Sequence, residues 1–114
     1  MTDCLFCKIA NKELDSEIVK ESNTLTAFRD INPAGPTHVL VVPKQHISSA
    51  AEIDASHGDL LAEMFETLRT IASEEGIDDG GYRIVTNVGP DARQSVHHLH
   101  FHLIGGRQLA WPPG

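Results

Sequence analysis

Ser95-Val96-His97-His98-Leu99-His100-Phe101-His102-Leu103-Ile104 is the most informative stretch of this chain. From His98 onward polar and apolar residues alternate, and in an extended strand successive side chains point to opposite faces. His98, His100 and His102 therefore share one face, while Leu99, Phe101 and Leu103 line the other. Imidazole changes charge near neutral pH and serves in proton and group transfer. On the residues alone the row admits three uses: metal ligation, nucleophilic attack, or a polar strand face without chemistry. His97 falls on the opposite face, where a packing or supporting role is expected.

Working outward, the pattern is that of an α+β chain. A short helical turn over 4–10 carries Leu5, Phe6 and Ile9. Ile18-Val19 and 25–28 form a hairpin turning at Ser22-Asn23, and Asn32-Pro33-Ala34-Gly35-Pro36 is a loop. Residues 37–42 read as a buried strand stopped by Pro43. Leu60, Leu61, Met64, Phe65, Leu68, Ile71 and Ala72 recur at helical spacing, which predicts a helix over 57–75 stopped by Gly76. Residues 82–87 form another strand, followed by the Gly89-Pro90-Asp91 loop and the histidine strand. This order predicts an antiparallel sheet covered by one long helix, with a short N-terminal helix. At 114 residues the chain is expected to be a single domain over 1–114.

The net charge of −7 argues against binding a nucleic-acid backbone, which requires Lys and Arg to neutralise phosphates. A single small phosphate remains compatible, because backbone N–H groups, histidines and a few cations can hold it. No apolar run reaches membrane-spanning length and the N-terminus lacks an export pattern, so no membrane association and a cytoplasmic location are expected. Glu63, Glu66, Glu74, Glu75, Asp78 and Asp79 read as a solvated face.

The two cysteines form Cys4-Leu5-Phe6-Cys7. A disulfide is not expected without export, and a thioredoxin-type motif lacks its preceding strand. The pair is half of a tetrahedral zinc site, which two histidines would complete, or else two thiols around an empty site.

The alternation His-apolar-His-apolar-His followed by two apolar residues resembles the histidine-triad superfamily of nucleotide hydrolases and transferases. Asn87-Val88-Gly89, Gln94-Ser95-Val96, Gly105-Gly106-Arg107-Gln108 and Trp111-Pro112-Pro113-Gly114 are similar to its Hint branch. So are Ala27-Phe28-Arg29-Asp30-Ile31, Pro36-Thr37-His38-Val39-Leu40-Val41-Val42 and Pro43-Lys44-Gln45-His46-Ile47. The resemblance implies a homodimer whose sheet continues across both protomers, each C-terminal segment reaching toward its partner's site. It implies a purine nucleoside phosphoramidase, acting on adenylated lysine, aminoacyl adenylates and related substrates. His100 is then the nucleophile that forms a nucleotidyl-histidine, His102 contacts the phosphate or assists the leaving group, and Ser95 donates to the leaving amine. Asn87 and the backbone at Gly89 hold the phosphate, Asp30 accepts the ribose hydroxyls, and Leu5, Phe6, Ile9, Phe28 and Ile31 wall the purine. The resemblance also implies structural zinc on Cys4, Cys7, His46 and His98. His38 is expected to support the active face and His57 to lie at the surface. Ala110 departs from the larger residue that relatives carry before the tryptophan, which loosens selection of the leaving amine. A dinucleoside polyphosphate hydrolase and a non-catalytic purine-nucleotide-binding module are the rival functions.

Overall fold

The hairpin that starts the sheet is set by one serine. Ser22 Oγ accepts from the backbone N–H of Thr24 and of Leu25, at 3.2 and 3.1 Å, and this turns β1 (Ile18–Glu21) into β2 (Leu25–Arg29). The computed structural model describes residues 4–114, so the N-terminal expectation for Met1 to Asp3 lies outside the described residues. After β2 come β3 (Thr37–Pro43), β4 (Tyr82–Val85) and β5 (Phe101–Gly105). They form a five-stranded sheet in the order β1-β2-β3-β5-β4, antiparallel at every pairing.

β3 is buried at all seven positions because both faces of the sheet are covered there. Val39 and Val41 point toward helix α2 (Gly58–Glu74), whose stripe of Met64, Leu68, Ile71 and Ala72 is wholly buried against them. Leu99, Phe101 and Leu103 join the same core. Leu40 and Val42 point to the other face and pack with Phe28 and with Phe6 and Ile9 of the short helix α1 (Leu5–Ala10). The period of two thus sorts one strand into two cores. Arg29 fastens the end of α2 to β2 through two 2.9 Å bonds to the Glu75 carboxylate.

Two strand boundaries differ from the expected ones. β5 begins at Phe101, not His98. His98 and His100 stay outside the ladder because the His98 carbonyl accepts from the ring of His100, while Leu99 N–H donates to Ile47 O at 2.6 Å. β4 stops at Val85, short of Asn87, as Thr86 turns its hydroxyl onto the His100 carbonyl at 2.8 Å. At the far end, Gly105 lies so close to Ile77 that a Cβ would sit 2.8 Å from its Cδ1, and Gly106 turns the chain at φ +96°. Among the described residues, no helix is long and apolar enough to cross a membrane.

Candidate active site

The three imidazoles do share a face, and hydrogen bonding sets the proton on each. The His98 carbonyl can only accept, so His100 Nδ1–H donates to it at 2.7 Å and leaves Nε2 with its lone pair. Burial holds His100 below the ordinary imidazole range, so the ring is neutral at pH 7. Phe6 packs edge-on to it at 4.9 Å between centroids and, with the carbonyl, fixes the ring plane.

A second chain of bonds runs through His38. The backbone N–H of Ala34 can only donate, and it reaches His38 Nδ1 at 2.9 Å. The proton of His38 is therefore on Nε2, which donates to His102 Nδ1 at 2.8 Å. His102 must then carry its proton on Nε2. Asp30 Oδ2 lies 3.5 Å from His38 Nε2 and shares that proton weakly. Burial first, then the neighbouring His100 and His38, pushes His102 down to about 4. The paired rings thus differ at Nε2: His100 presents a lone pair and His102 a donor.

Asp30 has two uses here. Oδ1 accepts from Asn32 N–H at 2.8 Å, closing an Asx turn, while Oδ2 faces the histidines. Of the expected purine walls, Phe6, Ile9 and Phe28 are buried in the smaller core, whereas Leu5 is 44% and Ile31 89% exposed. Ser95 is exposed and Asn87 half-buried. Gly89, at φ +80°, spends its own N–H on Gln94 Oε1 at 3.0 Å. Gln94, quoted within a motif but given no role there, does more in this loop than its neighbours. Its backbone N–H also donates to the Gly89 carbonyl, and its Nε2 donates to Ser48 O and Val96 O. One amide thereby clamps the whole 89–96 loop. Arg93 within it holds a left-handed φ of +64°, a conformation costing about 1 kcal/mol for a residue with a Cβ. His97 is exposed rather than packed into a core, because the backbone bends there before the extended run begins. His57 is half-buried rather than a free surface group: its Nδ1 accepts from Asp54 N–H at 3.0 Å.

Beneath the row, Cys4, Cys7, His46 and His98 offer donor atoms that all lie within 4.8 Å of one another. His98 Nε2–H donates to Pro43 O at 2.8 Å, which turns the Nδ1 lone pair toward the sulfurs. The Sγ to Nδ1 separations are 3.3 Å for Cys4–His98, 3.5 Å for Cys7–His98 and 3.2 Å for Cys7–His46. A tetrahedral zinc with ordinary bond lengths has S···N edges of about 3.5 Å, so the donor set fits that ion. Burial pushes the Cys7 thiol up to about 11, with Cys4 adding to the shift.

Three comparisons bear on this arrangement. The family described as "Scavenger mRNA decapping enzyme C-term binding" matches residues 3–110. A "14 kDa zinc-binding protein" of Brassica juncea is 46% identical over 114 residues, covering 98% of this chain and 100% of that one. "Adenylylsulfatase HINT1" of Arabidopsis thaliana is 45% identical over 112 residues, covering 96% and 76%. The crystal structure of a HIT family hydrolase from Legionella pneumophila superposes with a TM-score of 0.97 at 45% identity, covering 98% of this chain and 100% of that chain. With the row of histidines on one face of a sheet that superposes this closely, the chain belongs to the histidine-triad superfamily, on its Hint-like branch.

Proposed function

We propose that this protein hydrolyses the P–N bond of purine nucleoside 5′-phosphoramidates, among them adenylated lysine, with the P–O anhydride bond of aminoacyl adenylates as a related target. The observation that carries the reading is the pair of opposed ring edges: a neutral His100 with a free Nε2, beside a His102 whose Nε2 bears a proton. His100 Nε2 attacks the α-phosphorus as the P–N bond breaks. The nitrogen keeps the electron pair and takes one proton, relayed from solvent by the exposed Ser95 hydroxyl. His102 Nε2–H donates to the phosphoryl oxygens, where negative charge gathers, and Asn87 and the loop at Gly89 complete their cradle. Water then attacks the nucleotidyl-histidine, returns His100 to its starting form, and gives the proton back to solvent.

Asp30 takes the ribose hydroxyls. Leu5 and Ile31, the exposed members of the apolar set, close on the purine over the floor of Phe6, Ile9 and Phe28. Zinc would be held by Cys4, Cys7, His46 and His98, a closed set of four that supplies rigidity and leaves no position for a reacting water. Thiol ligands require a reducing compartment, in keeping with the cytoplasm. A homodimer joined along β4 accounts for the unpaired backbone of that edge strand and for Trp111, which is 79% exposed.

The test is steady-state hydrolysis of adenosine 5′-phosphoramidate, adenylyl sulfate and a diadenosine polyphosphate by wild type and His100→Ala. Cleavage of the phosphoramidate, lost in the variant while AMP affinity is kept, is the expected result. Preference for the polyphosphate moves the protein to the other hydrolase class, and binding without turnover of any substrate makes it a nucleotide-binding module.

A further inference from the structure

Strand register carries the site beyond His102. Across β3, β5 and β4, Leu40, His102 and Val85 form one cross-strand row, and His38, Ile104 and Arg83 form the next. Residues two apart on a strand share a face, so Arg83 lies on the histidine face, diagonal to His102. A cleft of about 410 Å³ opens there, lined by His102, Asn87, Arg83 and Arg107 and walled by Ala110 and Pro112 of the C-terminal segment. In an in-line displacement the leaving group departs on the side of phosphorus away from the nucleophile. Running from His100 through His102 to Ile104 covers about 13 Å of extended chain, and the cleft, lined by His102 and Ile104 but not His100, lies on the side of His102 away from His100.

The two guanidinium groups in the cleft differ. Arg107 is committed to main chain, donating to Ala34 O at 2.6 Å and Gln108 O at 2.9 Å. Arg83 lies over the Trp111 ring at 5.9 Å and, among the described residues, makes no ion pair. Arg29, by contrast, is matched to both Glu17 and Glu75. Among the described residues neither arginine of the cleft has an acidic partner, and Arg83 alone of the two also lacks a main-chain acceptor for its guanidinium. Stacking uses the face of the guanidinium and leaves the N–H fork along its edge for a carboxylate.

We propose that this cleft seats the leaving group and that Arg83 selects amines carrying a negative charge, an α-carboxylate foremost. The protein is then a hydrolase of nucleotidyl amino acids with a free carboxylate. This rests on the phosphoramidase reading and leaves its covalent step unchanged.

The probes are adenosine phosphoramidates of glycine and of its neutral isostere glycinamide, with unsubstituted adenosine 5′-phosphoramidate reporting the chemistry in wild type. Wild type is expected to favour glycine in kcat/KM by about tenfold, the scale of one charge-assisted hydrogen bond partly open to water. That ratio collapses toward one in Arg83→Gln and is partly kept in Arg83→Lys. Should Arg83→Gln fail to fold, the wild-type ratio decides, since a charge-based preference shrinks as salt is raised. A wild-type ratio of one, a ratio that survives in folded Arg83→Gln, or a parallel fall on both probes overturns the assignment of Arg83. No turnover of the unsubstituted phosphoramidate overturns the phosphoramidase reading itself.

Discussion

His38 touches no substrate in the proposed reaction, yet it decides which edge of His102 carries the proton. His38→Phe keeps the ring volume in a site only 7% exposed but deletes both nitrogens. His102 Nδ1 then loses its 2.8 Å donor and Ala34 N–H its 2.9 Å acceptor. Ala34 is itself exposed, so the freed N–H costs about 1 kcal/mol, or roughly 5 °C in Tm for a chain of this size. On the activity side, the His102 donor is mispositioned rather than removed. The expected loss in kcat/KM on adenosine 5′-phosphoramidate is about tenfold, short of the roughly hundredfold or more that follows deletion of a donor to developing charge. His38→Gln separates the two effects, because its amide nitrogen can reproduce the donor at Nε2 without serving Ala34 in the same geometry. It should recover most of the rate and only part of the stability. Long-range ¹H–¹⁵N spectra of His102 give the direct readout, with the Nε2–H tautomer dominant in wild type and mixed in the Phe variant. A His38→Phe enzyme with wild-type kcat/KM and an unmixed His102 would refute the relay.

The metal reading predicts about one zinc per chain in protein purified without chelator, measured by elemental analysis. Cys7→Ser should lower both that content and the Tm, and an equally stable, metal-free wild type ends the reading. For pH, His102 goes from an ordinary 6.5 to about 4 in the folded state. Folding therefore sheds a proton, so stability is whole above pH 6.5, declines as the pH falls, and is reduced by roughly 3 kcal/mol near pH 4. Urea titrations from pH 7 to 4.5 should show a shallower decline in His102→Gln; parallel curves for the two proteins reject the assignment.

Sequence periodicity was enough to place Leu99, Phe101 and Leu103 against α2 and the histidines on the other face, because a period of two needs only extended backbone. It could not place the start of β5, since ladder membership depends on where the His98 and His100 carbonyls find donors. Those are a ring two residues on and the Thr86 hydroxyl fourteen back. Cys4 and His98 meet across 94 residues of chain, and only the resemblance joined them in advance. Gln94 left no signal in composition or spacing, as its amide bonds three backbone groups in a loop whose path the sequence does not dictate. Arg83 was hidden for another reason: a one-residue slip would put it on the other face, and the register is fixed by pairing with β5. Asp30 stood out only through the resemblance; its Oδ1 closes an Asx turn and its Oδ2 lies toward His38.

His98 links the candidate zinc set of Cys4, Cys7, His46 and His98 to the orientation of His100. Its Nδ1 faces the cysteines, its Nε2–H holds the Pro43 carbonyl at the end of β3, and its own carbonyl receives the His100 proton. Each bond constrains the next. The ring cannot turn without losing Pro43 O or the sulfurs, so the peptide that follows is held, and the carbonyl on that peptide sets which nitrogen of His100 is free. Pro43 is also where Leu25 pairs from β2, so the cluster is tied into the sheet as well as to α1. A zinc held in this position would act on the proposed reaction through the geometry of His100. Weakening the cluster should let the His100 ring exchange tautomers and slow the proposed attack on phosphorus.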